Sequence, residues 1–290
     1  MKWSGQQDSN LRPSAPKADA LPGCAIPRHR INGALIARLD GMGKSLIELL
    51  TKSMCLSSAI GMNDESHDPY RAILSADIPQ NPEKDWAFWL VEADWRALAE
   101  IHHPAIRRRR IAGRAVLRAL LWHRLGNLSG DLSLHYDSLG RPVVGGKELF
   151  ISLSYAGNQV FASASDIGPI GIDAEIVREF ADMPASRDYI CAPAEKDWLL
   201  SLPYDQSIEM FYLLWTLKEA SLKAQGVGLR REPSSLCFNC PLHPPYISSE
   251  LMSYGSLRIG DVRLSLASAH QTGLSLDLIV RDITADMTKN

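Results

Sequence analysis

Cysteine is scarce in this chain, and the five present are odd in number and scattered, at positions 24, 55, 191, 237 and 240. That pattern describes no disulfide framework and suits a reducing compartment. Cys237-Phe-Asn-Cys240 with His243 has the beginning of a zinc site, but no second Cys or His pair completes four ligands. No run of about 18 apolar residues occurs, and the amino terminus has no apolar signal core, so no membrane is expected and the cytoplasm is the default location. Charge of one sign is also lacking. The formal net charge of −2 over 290 residues argues against a nucleic-acid-binding chain. With 46% hydrophobic residues the chain can bury a sizeable core, in one domain or two small lobes.

Regular patterning is missing from residues 1–80. Residues 5–23 are polar and proline-rich without periodicity, so disorder is expected there. Asp8-Ser9-Asn10-Leu11 resembles a transfer-RNA gene read in the wrong sense, which would move the true start to Met42, Met54 or Met62. Gly41-Met-Gly43-Lys44-Ser45 has the end of a phosphate-binding loop, but the required first glycine falls on Arg38.

What is present begins with a helix around Trp215. Asp205 or Ser207 can cap its start, no proline interrupts it, and Gly226 supplies a left-handed stop. Ile208, Tyr212, Trp215 and Leu222 fall on one side and Leu213, Leu214 and Leu217 on another, so the helix is mostly buried. Glu219 lies within the first stripe and Lys223 one turn on. On an exposed helix this would be an ordinary ion pair. Among apolar neighbours a carboxylate needs a cation, a metal or a proton.

A second acidic element stands in Pro169-Ile-Gly171-Ile-Asp173-Ala-Glu175-Ile-Val177. Strand alternation places Ile170, Ile172, Ala174 and Ile176 on one face and Gly171, Asp173 and Glu175 on the other. Asp173, Glu175 and Glu219 form an all-oxygen set suited to Mg²⁺ or Mn²⁺.

Upstream, residues 85–91 read as a strand, Glu92 to Ile101 as a short helix, and Pro104 opens a longer helix to about Leu125. On it Arg107, Arg110, Arg114 and Arg118 form a basic stripe, either a solvated face or a site for a phosphorylated small molecule. Residues 149–155 and 159–165 read as strands joined by a turn. Ala194 to Leu200 reads as a helix. Leu236-Cys-Phe, Val262 to Ala269 and Leu274 to Val280 read as strands, the last two joined at Thr272-Gly273.

Gly171-Ile-Asp173-Ala-Glu175, followed by Trp215-Thr-Leu-Lys218-Glu219-Ala-Ser-Leu-Lys223-Ala-Gln-Gly226-Val-Gly228-Leu229, resembles the motif pair of the 4′-phosphopantetheinyl transferases, surfactin-synthetase-activating type. The resemblance covers about Trp86 to Asp282. It implies an α+β fold of two similar lobes in pseudo-twofold arrangement, each a small antiparallel sheet packed with a long helix. The lobes would span residues 81–165, binding coenzyme A, and 166–290, carrying the Mg-binding carboxylates and catalytic helix.

The activity implied is Mg-dependent transfer of the 4′-phosphopantetheine arm of coenzyme A to a serine of an apo acyl- or peptidyl-carrier protein, by a monomer. The alternative is a non-catalytic relative that binds coenzyme A or a carrier protein. Glu219 and Lys223 would be catalytic; Asp173, Glu175 and Glu219 would hold the metal. Arg114, Gly140, Arg141, Pro142, Ser154, Tyr155 and Lys218 would contact coenzyme A. Tyr155 departs from the family pattern, which has a phosphate-contacting histidine there. A phenol donates one hydrogen bond and cannot become cationic, so a compensating donor is expected from Arg114, Arg118 or Arg141.

Overall fold

The computed structural model describes residues 71–125, 133–145, 149–269, 278 and 280–287. All lie in one of the chain's two compact units; the other, Arg12–Asp68 with Thr288–Asn290, is outside the described residues. So are the expectations for residues 1–70, the Thr272-Gly273 turn and most of the strand before Val280.

Strand β1 (Arg71–Asp77) falls inside the stretch read as an amino-terminal extension. It is followed by α1 (Pro82–Asp85), α2 (Glu92–Leu98), α3 (Pro104–Leu125), β2 (Leu134–Tyr136), β3 (Pro142–Val144), β4 (Phe150–Ala156), β5 (Gln159–Ser165) and β6 (Ile170–Ile176). Then come α4 (Met183–Ile190), α5 (Pro193–Ser201), α6 (Tyr204–Gln225), β7 (Ser253–Ile259), β8 (Val262–Ser268), β9 (Val280–Asp282) and α7 (Thr284–Met287). The result is a mixed α+β structure with three small sheets, in the orders β4-β5-β1-β9, β2-β3 and β6-β8-β7. Among the described residues no helix is long and apolar enough to cross a membrane.

Residues 85–91 are not a strand. Asn81 caps a helical turn, its Oδ1 accepting from Lys84 N–H at 3.2 Å, and a 3-10 turn, Ala87–Trp89, follows. Trp86 and Trp89 are buried in the core around α3 by helical turns, which at this length mimic a strand's apolar run. Helix α6 begins after Pro203, without a side-chain cap from Asp205 or Ser207, and ends as expected at Gly226, φ +72. Leu236–Phe238 reduces to a single bridge, Phe238 to Ser248, after a 3-10 turn at Pro233–Ser235. Strand β7 and helix α4 had no clear periodic signal.

Helix α3 lays Ile111, Ala115, Val116 and Leu120 against the four-stranded sheet, and α6 buries Phe211, Leu214, Leu217 and Ala220 in a second core. The alternation of β6 holds: Ile170, Ile172 and Ala174 join Ile73, Ala156 and Phe161 in a third core between the sheets. Edge strands β4 and β6 are stitched by side chains. Ser152 Oγ accepts from Ile172 N–H at 3.1 Å and Ser154 Oγ from Ala174 N–H at 3.2 Å, satisfying groups an edge would leave unpaired.

The opposite face of β6 meets α6, and Gly171 sets the distance. A Cβ there would fall 2.0 Å from the Ala220 carbonyl oxygen and 2.5 Å from the Ala224 nitrogen. These are backbone atoms, so a side chain must push strand and helix apart. Gly171→Ala is expected to cost about 1–3 kcal/mol, as overpacking does. Urea unfolding of the variant against wild type checks this.

Candidate active site

Asp173 and Glu175 leave β6 on the face that meets α6, and Glu219 and Lys223 leave α6 one turn apart toward them. Lys223 Nζ donates to Asp173 Oδ1 at 2.6 Å, to the Ile172 carbonyl at 3.0 Å and to Ser154 Oγ at 3.2 Å. Ser154 Oγ in turn donates to Asp173 Oδ1 at 3.0 Å. Asp173 is 4% exposed, and its Oδ2 is buried with no hydrogen-bond partner among the described residues. A buried carboxylate oxygen in that state is a position for a further cation.

The carboxylates feel one another. Burial, then the charge of Asp173, push Glu219 up to about 7 against the opposing pull of Lys223. Burial and Asp173 likewise hold Glu175 well above the usual carboxylate range, with Glu219 adding to the effect and Lys223 and Arg109 opposing it. Among the described residues no three acidic, His or Cys groups close into a metal cage. The set expected for Mg²⁺ therefore appears as an electrostatically coupled cluster, with Lys223 on one oxygen of Asp173.

A cleft opens beside Glu219 and Lys223, bordered by Arg110, Tyr136, Gly140, Arg141, Pro142, Ser154, Tyr155 and Gly226. The loop between β2 and β3 is fixed by Asp137, whose Oδ1 accepts from Leu139 N–H at 2.9 Å and Arg141 N–H at 3.0 Å. Asp137 Oδ2 holds Arg141 Nε at 3.1 Å. A Cβ at Gly226 would stand 2.6 Å from Arg141 Nη1, so glycine both ends α6 and admits the guanidinium beside that end. A cation is favourable there.

Three expected cations do not reach this cleft. Lys218 is fully buried, its Nζ on Glu195 Oε2 at 2.5 Å and on the Ile190 carbonyl at 2.8 Å, so it anchors α6 to α5. Arg114 is 4% exposed and bonds Asp94 Oδ1 at 2.7 Å; Arg118 is 1% exposed and bonds Asp94 Oδ2 at 2.8 Å. Arg107 holds Glu83 and the Leu98 carbonyl. The basic stripe of α3 is thus largely neither solvated nor phosphate-facing: buried Asp94 gathers two of its four members.

Tyr155 does not aim its hydroxyl at a ligand. Its O–H donates to the Arg109 carbonyl at 2.9 Å, in space left by Gly113, and burial pushes its pKa up. Sequence reading missed Asp94, Glu195, Tyr136 and the cleft position of Arg110. An acidic residue in an amphipathic helix carries no mark of its distant partner.

The 4′-phosphopantetheinyl transferase superfamily model matches residues 169–254, from β6 through α4, α5 and α6 to the first two residues of β7. Over 159 residues the chain is 33% identical to 4′-phosphopantetheinyl transferase HetI of Nostoc sp. strain PCC 7120, covering 53% of this chain and 67% of that protein. It is 32% identical over 110 residues to AcpT of Escherichia coli K12, covering 38% of this chain and 55% of AcpT. With Sfp of Bacillus subtilis strain 168 it shares 26% identity over 129 residues, covering 44% of this chain and 56% of Sfp. These matches span two thirds of the first relative and somewhat over half of the other two. The chain belongs to the 4′-phosphopantetheinyl transferase superfamily, transferases that modify carrier proteins.

Proposed function

We propose that this chain transfers the 4′-phosphopantetheine arm of coenzyme A to a serine of an apo acyl- or peptidyl-carrier protein, releasing adenosine 3′,5′-bisphosphate. The observation that carries the reading is the cleft wall. Glu219, with its pKa near neutrality, lies beside Lys223 and across from the Gly140-Arg141-Pro142 loop. The new bond joins the serine oxygen to the β-phosphorus of coenzyme A, and the phosphorus–oxygen bond to the adenosine-side phosphate breaks.

Glu219 accepts the serine proton, for which a pKa near the working pH is well matched. Lys223 steadies the charge that builds on the departing phosphate, and Arg110 and Arg141 hold phosphates. Lys218 and Arg114 leave the phosphate-holding set and become the buried counter-ions of Glu195 and Asp94.

A divalent cation, Mg²⁺ or Mn²⁺, fits the donor set: three oxygen ligands that repel one another, one with an unpartnered buried oxygen. When bound by Asp173, Glu175 and Glu219 it supplies positive charge against the pyrophosphate. The 22-residue helices α3 and α6, each on its own sheet, support a two-lobe reading with the cleft between lobes. A cytoplasmic monomer, without nucleic-acid or membrane partners, completes the proposal.

Incubating the protein with coenzyme A, Mg²⁺ and an apo carrier protein, then weighing the carrier, tests it. The expected result is a gain equal to one phosphopantetheine arm. Coenzyme A binding without any gain, across several carriers, would favour the binding-only alternative.

A further inference from the structure

We propose that Ser154 positions Asp173 for a divalent cation, holding the carboxylate so that Oδ2 is the oxygen offered to the metal. The inference rests on the metal assignment made above, and it gives Ser154 a different task from the coenzyme A contact expected of it. Ser154 stands on β4, in the four-stranded sheet, and Asp173 on β6, in the three-stranded one. Both are buried, at 5% and 4% exposure.

The hydroxyl of Ser154 is fully used. It accepts from Ala174 N–H at 3.2 Å and from Lys223 Nζ at 3.2 Å, and it donates to Asp173 Oδ1 at 3.0 Å. A serine hydroxyl has one proton to donate and two lone pairs. An amide N–H and an ammonium can only donate, so they take both lone pairs and the proton is left to Asp173. No position remains for an oxygen of coenzyme A.

Lys223 donates to the same oxygen of Asp173 at 2.6 Å. Oδ1 thus carries two donors, while Oδ2 is buried with none among the described residues. Two donors on one oxygen fix the rotation of the carboxylate and leave the other oxygen for a cation. Ser152 supplies the contrast. Strand alternation puts it on the same face of β4, and its hydroxyl accepts from Ile172 N–H at 3.1 Å, the same stitch between sheets. Among the described residues it makes no hydrogen bond to a carboxylate, so the two serines differ in their reach to Asp173 and Lys223.

The test measures Mn²⁺ affinity by electron paramagnetic resonance, without coenzyme A or carrier, for wild type, Ser154→Ala, Ser154→Thr, Ser154→Cys and Ser152→Ala. Urea unfolding and calorimetry of coenzyme A binding in chelator accompany it on the same samples. Ser154→Ala should bind Mn²⁺ at least about tenfold more weakly, the effect of losing a partner that orients a metal ligand. Ser154→Thr keeps the hydroxyl and should recover most of that loss. Ser152→Ala should lower the urea midpoint as much as Ser154→Ala does, yet keep wild-type Mn²⁺ affinity. Ser154→Cys, with a weak donor of similar size, should also lose affinity and carries the comparison if Ser154→Ala does not fold. Equal loss of Mn²⁺ affinity in both alanine variants would assign the effect to the stitch between sheets and overturn the proposal, as would wild-type affinity in Ser154→Ala. Weaker coenzyme A binding in chelator, with Mn²⁺ affinity intact, would return Ser154 to the coenzyme A contacts and overturn it too. A wild type that binds no Mn²⁺ would overturn the metal assignment and this proposal with it, whereas one that binds Mn²⁺ but modifies no carrier would sink only the transferase reading.

Discussion

Replacing Glu219 by glutamine is expected to abolish transfer, by about a thousandfold or more, while the protein stays folded; that is a loss of about 4 kcal/mol of transition-state stabilisation. The amide keeps the shape of the side chain and removes both its basicity and its charge. Wild-type turnover should fall as the pH is lowered and Glu219 is protonated, at a pH below the metal-free value of about 7 because a cation bound by the same carboxylate favours its charged form, and the variant's residual rate should lack that limb.

Stability should change the other way. The carboxyl of Glu219 is raised from 4.5 to about 7 on folding, so its favourable contribution is complete below 4.5 and lost as pH rises through 7. Without divalent cation, Glu219→Gln should therefore be more stable than wild type above pH 7, by about 2–3 kcal/mol. Mg²⁺ should close that gap by stabilising wild type through its carboxylates. Thermal melts at pH 5 and pH 8, with chelator and with Mg²⁺, read all of this. Near-normal transfer by the variant, or equal stability at both pH values, would remove Glu219 from the role of base.

Asp94 carries the other large effect, on stability. Its carboxylate is fully buried and bridges Arg114 and Arg118, whose side chains are 5% and 2% exposed. It also accepts from Val91 N–H at 3.1 Å, fixing the start of α2. Asp94→Ala removes this shared carboxylate from two buried guanidiniums in the core of α3. Breaking a buried pair from one side costs about 3–5 kcal/mol, a large part of a total stability of about 5–15 kcal/mol. Asp94→Asn, which keeps one acceptor and the shape, should lose less. Urea unfolding midpoints in that order would bear out the assignment. A loss below about 1 kcal/mol in Asp94→Ala would show that water reaches the arginines.

Much of the candidate site was legible before any tertiary contact. The Gly171-Ile-Asp173-Ala-Glu175 strand carries its alternation on its face, and the Lys218-Glu219 to Gly226 helix carries its stop signal, because strand period and left-handed glycine are local properties of the backbone. The side of the strand that carries Asp173 and Glu175, and the turn that separates Glu219 from Lys223, follow from those periods alone. The 85–91 stretch misled because two buried tryptophans fit a strand or a helical turn equally well over seven residues.

Tertiary structure decided which cations meet the cleft. Arg110 and Arg114 lie four residues apart on one helix, yet Arg110 borders the cleft while Arg114 is sealed under Asp94, a residue of α2. Lys218 and Lys223 divide in the same way between Glu195 of α5 and Asp173 of β6. Periodicity assigns a side chain to a face of its helix. What covers that face comes from elements 20 to 50 residues away, and burial lets the nearest opposite charge take hold of whichever cation it meets.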